Sequence, residues 1–171
     1  MAILTQDEII NRIDQGIIKI EPFDKKSVGP ASIDLTLGDK FRIYKNTHET
    51  VRLNSDEFDS DKYSDLVTVN DSITLQSGQT ILGITTEKIT LPSNICGWIQ
   101  GRSRFARIGL MVHISSSFIQ PGIANQQVLE IYNAGPLSIT LYPGVAICQL
   151  ILEETLGNAS YRGSFQNQTD P

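Results

Sequence analysis

Short runs of alternating or wholly apolar residues, cut apart by turn residues every few positions, constrain this chain more than any other feature. Leu66 to Val69, Ser72 to Leu75, Thr80 to Thr86, Cys96 to Gln100, Gln127 to Tyr132, Leu137 to Tyr142 and Ala146 to Leu152 all read as strands. Asn70-Asp71, Ser77-Gly78, Pro92-Ser93, Asn133-Ala134-Gly135-Pro136 and Pro143-Gly144 separate them. A strand buries its apolar face only against another layer, so this pattern predicts a mainly β barrel or sandwich.

Upstream, Ala31 to Leu37 alternates and Gly38-Asp39 follows, with Phe41 to Tyr44 returning, which predicts a hairpin. Ile17 to Ile20 is a short strand stopped by Pro22. Thr5-Gln6-Asp7-Glu8 has the pattern of a capping box, and the Ile9, Ile10 and Ile13 stripe ends near Gly16, predicting one short helix from Gln6 to Gln15. A second short helix is expected over Arg104 to Leu110, with Phe105, Ile108 and Gly109 inward. Trp98, Phe105 and Phe118 read as core.

With 171 residues, 40% of them hydrophobic, the whole span 1–171 is expected to form a single domain. No apolar run is long enough to cross a bilayer, and MAILTQDE has no basic segment followed by an apolar one. A soluble, cytoplasmic protein without a membrane partner is expected. Cys96 and Cys148 sit in apolar strand contexts and read as core thiols. The net charge of −5 argues against a nucleic-acid partner, but a small anion needs only local positive charge. Thr47 to Asp65 carries Asp56, Glu57, Asp59, Asp61 and Asp65 and reads as a solvated loop without calcium-loop spacing. The polar tail from Gly157 to Pro171 has no periodicity, so it is either disordered or ordered by docking on a ligand or another subunit.

The stretch Trp98 to Asn133 carries the chemistry. Arg102, Arg104 and Arg107 fall within six positions, and Glu130 is the one carboxylate between Glu87 and Glu153. The arginine forks and the Ser103 hydroxyl suit phosphate oxygens. In Val128 to Tyr132, alternation places Glu130 on one face with Val128 and Tyr132, opposite Leu129 and Ile131. If that face is enclosed the glutamate can exchange a proton with water near neutral pH, as a general base in hydrolysis must. His113 reads as a core or interface histidine, and Asp34 as structural.

GRSRFARIGL, HISSSFIQPG, VLEIYN and LYPGVAICQL, in that order, resemble the dCTP deaminase family of the dUTPase-like superfamily. The likeness continues through SVGPASIDLTLGDKFRIY, TLPSNICGWIQGRS and SYRGSFQNQ, nearly the whole chain. It implies a distorted jelly-roll β-barrel and a homotrimer with shared active sites. It further implies conversion of dCTP to dUTP and ammonia without catalytic zinc, Mg²⁺ carried by the substrate triphosphate, and dTTP as a feedback inhibitor. Two His and two widely separated Cys cannot in any case supply the H-x-E and P-C-x-x-C of a zinc deaminase.

By the same resemblance Glu130 shuttles protons, Ser103 helps hold the attacking water, Arg107 orients the glutamate and Arg102 binds phosphate. Arg104 stands where a serine is common; pointing inward it would add to phosphate binding, and facing solvent it would mean little. The main chain of Ser115 and Ser116 faces the water and the base amino group, while Tyr161 and Gln168 belong to a C-terminal arm, 157–171, that closes over the triphosphate. The sequence also departs from the family pattern. Gln120 replaces an Asp that contacts the sugar hydroxyl and, in dUTP-hydrolysing relatives, positions water. Ile123 replaces an aromatic residue, and Ser164 stands where lysine is common, with Arg162 as a substitute. A bifunctional enzyme releasing dUMP and pyrophosphate, and a non-catalytic nucleotide-binding homologue, remain as alternatives.

Overall fold

The computed structural model describes residues 2–46, 49–51 and 60–171. Asp56, Glu57 and Asp59 of the expected acidic loop lie outside the described residues. In chain order the described elements are α1 (Gln6–Asp14), β1 (Lys19–Glu21), β2 (Ile33–Tyr44), β3 (Ser64–Thr68), β4 (Ile73–Leu75), β5 (Thr80–Thr90) and β6 (Ile95–Gly101). They continue with α2 (Ser103–Ala106), β7 (Leu110–Val112), β8 (Phe118–Ile119), β9 (Ala124–Asn133), β10 (Ile139–Leu141) and β11 (Ala146–Glu154). The mainly β fold expected from the turn-punctuated strands is the one observed, with the short helix after the GRS motif present as α2.

Period-two alternation sets which way each strand faces. In β2, Ile33, Leu35 and Leu37 are fully buried, and Asp34 and Thr36 point to the other face. Ile81 and Ile89 of β5, Leu129 and Ile131 of β9, and Leu150 and Leu152 of β11 complete the same core. Each such side chain contributes roughly 1.5–3 kcal/mol by leaving water. The main sheet runs β7-β9-β5-β2-β11-β6-β8, with β1 beside β5 and β3 beside β2, and every pairing is antiparallel. It curls until β6 meets β7: a Cβ on Gly101 would stand 2.5 Å from the Val112 carbonyl oxygen. A second, two-stranded sheet, β10-β4, is tied to the end of β9 by Asn133, whose amide donates to Leu75 and Leu137 carbonyls at 3.2 and 2.7 Å.

Several local expectations are corrected. Ala31 to Tyr44 is not a hairpin: β2 runs straight through Gly38-Asp39. Between the pairs Leu37↔Thr85 and Phe41↔Gly83, β2 has more residues than β5, so Gly38 marks a bulge. Its missing Cβ lets the strands approach, since that atom would lie 3.0 Å from the Ile84 carbonyl oxygen. The capping box does not form. Thr5 makes no side-chain cap, and Glu8 instead pairs with Arg12 at 2.6 Å, which also holds Glu154 at 2.5 Å. Ile108 faces solvent at 48% exposure rather than the core. Trp98 and Phe118 are likewise surface residues, 36% and 39% exposed, packed on each other with ring centroids 4.9 Å apart. Cys96 and Cys148 are buried free thiols, as expected, and burial raises the pKa of both.

The tail is corrected too. It is ordered on its own chain, along the β8–β9 turn and across β9 to β2. Tyr161 N–H donates to the Pro121 carbonyl at 2.9 Å, the Asn125 amide to Phe165 at 2.6 Å, and Gln126 N–H to Gln168 at 3.1 Å. Lys40 pairs with Asp170 at 2.5 Å, and Arg42 donates to the Pro171 carbonyl. Gly122, at φ +77°, lies so near that a Cβ would stand 2.8 Å from Ser160 Oγ. No helix among the described residues is long and apolar enough to cross a membrane.

Candidate active site

Glu130 projects from the outer face of β9 because its neighbours Leu129 and Ile131 are fixed in the core. Its side chain is 25% exposed. Ser115 meets the carboxylate twice: its N–H donates to Oε2 at 2.7 Å, and its hydroxyl lies 3.0 and 3.1 Å from Oε1 and Oε2. Hydrogen bonds to an ionised acceptor are about twice as strong as neutral ones, so Ser115 anchors this carboxylate firmly.

His113 lies behind this pair, its side chain 7% exposed. Glu130 N–H donates to Nδ1 at 3.1 Å, and Nε2 lies 2.9 Å from the Ser116 carbonyl. Burial lowers its pKa; the Glu130 carboxylate and the Ser116 carbonyl act the other way. The imidazole is therefore neutral at neutral pH, and the 3.6 Å approach of Nδ1 to Glu130 Oε2 is not an ion pair. Tyr44, exposed at the end of β2, faces the same region: partial desolvation raises its pKa, and the Glu130 charge adds to the effect.

The arginine segment starts where β6 ends. Because Gly101 lies against Val112, Arg102 and His113 leave adjoining points of the barrel, and α2 packs beside β7. Arg102 donates from Nη1 to the Ala146 carbonyl at 2.9 Å and pairs through Nη2 with Asp34 Oδ2 at 3.1 Å. Ser103 opens α2 with an exposed side chain, and Arg107 caps its C-terminus. Arg107 is exposed and pairs with no acid among the described residues. Arg104 is exposed and lies over the Phe105 ring, 5.0 Å from the centroid.

Gln120 is exposed in the β8–β9 turn, next to the carbonyl of Pro121 that takes the Tyr161 N–H. Tyr161 packs against the core, and the Gln168 amide donates to the Asp170 carbonyl at 3.0 Å within the tail. Ile123 is buried in the core. The structure thus joins Glu130, Ser115 and Ser116 in one cluster, Arg102, Ser103, Arg104 and Arg107 in a second, and Gln120, Tyr161 and Gln168 along the docked tail. A cleft of about 360 Å³ lies elsewhere, lined by the bulged parts of β2 and β5, Pro143, Gly144 and Thr169. It contains none of the expected site residues. Among the described residues no three His, Cys, Asp or Glu side chains cluster to hold a metal ion.

Sequence comparison decides the family. The family model described as dCTP deaminase-like matches residues 3–155. A Corynebacterium glutamicum protein named dCTP deaminase, dUMP-forming, is 35% identical over 99% of this chain and 93% of its own length. The chain belongs to the dCTP deaminase-like family.

A Marinomonas dCTP deaminase is 38% identical over 91% of this chain and 85% of its own length. The crystal structure of 2′-deoxycytidine 5′-triphosphate deaminase from Agrobacterium tumefaciens shares the fold at a TM-score of 0.68 and 21% identity, over 88% of this chain and 47% of that one. The dCTP deaminase-like fold therefore accounts for the curled sheet, and the family read from the sequence motifs is the family found. Sequence reasoning missed two contacts of the candidate site residues. His113 is buried, in keeping with its reading as core or interface, and the hydrogen bond of its ring to Glu130 is what the reading lacked. The mutual contact of Asp34 and Arg102 had one signal only, an acid at the outward phase of an alternating strand.

Proposed function

We propose that this chain hydrolyses dCTP to dUTP and ammonia, with Glu130 as the proton-transferring base. The carrying observation is the carboxylate of Glu130, held on β9 by both donors of Ser115 and still partly open to solvent. Glu130 takes a proton from water, and the hydroxide attacks C4 of cytosine. The proton passes to N3, and the remaining hydroxyl proton is carried to the amino group as ammonia departs and the C4 carbonyl forms. Ser103 holds the water, and Arg107, whose guanidinium pairs with no acid among the described residues, orients Glu130. Arg102 and Arg104 take phosphate oxygens, Gln120 the sugar hydroxyl, and Ser115 and Ser116 the base. Tyr161 and Gln168 close the triphosphate side, and Mg²⁺ enters on the triphosphate. The names of relatives 35% and 38% identical support the substrate. Exposed apolar side chains flanking Glu130, namely Tyr44, Met111 and Ile114, support completion of the site by further copies in a homotrimer. Feedback inhibition by dTTP is part of the same proposal.

A second reading is favoured by one observation: the Corynebacterium relative is named dUMP-forming. Against it stands Gln120, an amide that cannot serve as an anionic base. Incubating the protein with Mg²⁺ and dCTP, and separately with dUTP, and resolving the nucleotides by anion exchange tests both. Persisting dUTP supports the first reading. dUMP accumulating from either substrate supports the second, and binding without product would make the chain a nucleotide-binding homologue.

A further inference from the structure

The geometry points to His113 as the positioning residue for Glu130, an inference that rests on the proposed role of that glutamate. Strand β7 pairs with β9 only as far as Val112↔Ile131. One residue further, where the ladder would continue, the imidazole of His113 stands in for a backbone acceptor and takes the Glu130 N–H at 3.1 Å.

An amide N–H can only donate and a carbonyl can only accept, so the two partners fix the tautomer. Nδ1 is bare toward Glu130, and Nε2 carries the hydrogen given to the Ser116 carbonyl at 2.9 Å. One ring therefore ties the residue that bears the carboxylate to the segment 113–116. Ser115 lies between the two ends of that tie, which holds its N–H and hydroxyl against the Glu130 carboxylate. The charged group facing the ring is Glu130 itself, Oε2 being 3.6 Å from Nδ1; Ser116 presents a carbonyl. A protonated Nδ1 could not accept the Glu130 N–H, so the neutral ring is the working form. His113 touches the carboxylate-bearing residue through its main chain, and its effect on the reaction passes through the placement of Glu130.

The test combines kinetics with a spectrum. Wild type, Glu130→Gln, His113→Ala and His113→Asn would be assayed with dCTP and Mg²⁺, and the ring nitrogens of ¹⁵N-labelled wild type observed by NMR. Misplacing a reacting group by an ångström can cost about a hundredfold, so His113→Ala should lower kcat by roughly tenfold to a hundredfold and move KM by less than about threefold. His113→Asn, whose Oδ1 can accept where Nδ1 did, should recover most of the loss, and the spectrum should show a neutral Nε2–H ring. An unchanged kcat in His113→Ala, or an Nδ1–H ring, would overturn the assignment. If His113→Ala does not fold, His113→Gln replaces it, since Gln reaches the Nε2 position but offers no acceptor at Nδ1. Asn active and Gln impaired supports the assignment, and the reverse order overturns it. If the wild type converts no dCTP, the proposed reaction fails rather than the positioning, and the tautomer then decides alone.

Discussion

Arg102 and Asp34 form an ion pair, Nη2 lying 3.1 Å from Oδ2, while Nη1 of the same guanidinium donates to the Ala146 carbonyl at 2.9 Å. The arginine that motif reasoning gives to phosphate is thus anchored to β2 and β11 before any ligand arrives. A guanidinium has five N–H donors, so this anchoring leaves others for a phosphate. The pair holds the fork in place.

Removing the anchor should therefore cost stability as well as binding. Asp34 also accepts from the Gln149 amide at 3.2 Å, so Asp34→Ala removes the acid that faces one cation and the acceptor of one hydrogen bond. Both side chains of the pair are about one-quarter exposed, and a loss of roughly 1–3 kcal/mol in urea unfolding is expected. An unchanged midpoint would show that the pair contributes nothing to the fold.

Gly101→Ala is expected to separate the two halves of the site. The added methyl would stand 2.5 Å from the Val112 carbonyl oxygen, which is main chain and cannot rotate away. Overpacking of this kind typically costs about 1–3 kcal/mol. The same shift should lower dCTP turnover, because Arg102 and His113 follow directly from the two touching residues. Full activity with wild-type stability would contradict the close approach.

Much of this architecture was readable in advance. Pro143-Gly144 and Asn133 to Pro136 end strands as expected, because a turn residue acts on its own backbone. Gly38 misled for the same reason in reverse: its missing Cβ serves a bulge packed on Ile84, a neighbour distant in sequence. Trp98 and Phe118 are apolar enough for a core, yet strand phase turns them outward. Glu130 and the arginines stood out through an absence of competing charge. His113 did not, because its role comes from where β7 stops pairing with β9, and no local pattern marks that point. The tail was illegible because it docks through hydrogen bonds to backbone groups, such as Tyr161 N–H to Pro121, which need no periodic side chains.

That docking can be checked without nucleotide. The amides of Tyr161 and Gln126 donate to Pro121 and Gln168, so hydrogen exchange at both should be slowed in the ligand-free protein. Exchange of the Tyr161 amide at the rate of an unstructured peptide would mean that the arm is ordered only by ligand or partner.

His113 sets a pH dependence of stability. Its folded-state pKa is lowered from 6.5, chiefly by burial, so below pH 6.5 the unfolded chain binds more protons than the folded one. Stability from this group is full above pH 6.5 and is lost as the pH falls from there through the depressed folded value. The Glu130 carboxylate, which faces the ring, opposes the shift without reversing it. Urea unfolding at about pH 7.5 and about pH 5.5 should show a larger loss in wild type than in His113→Asn, which cannot titrate. Equal losses would remove His113 as the source.

In the proposed reaction the Glu130 carboxylate moves the protons of dCTP deamination. The most direct test of this role is release of ammonia and dUTP from dCTP by wild type and by Glu130→Gln, with far-ultraviolet circular dichroism confirming that both are folded. Gln keeps the shape and can still accept from Ser115, but it cannot take a proton from water. Glu130→Gln should fold and turn dCTP over at least about a hundredfold more slowly than wild type. Glu130→Gln turnover within a few-fold of wild type would contradict that role.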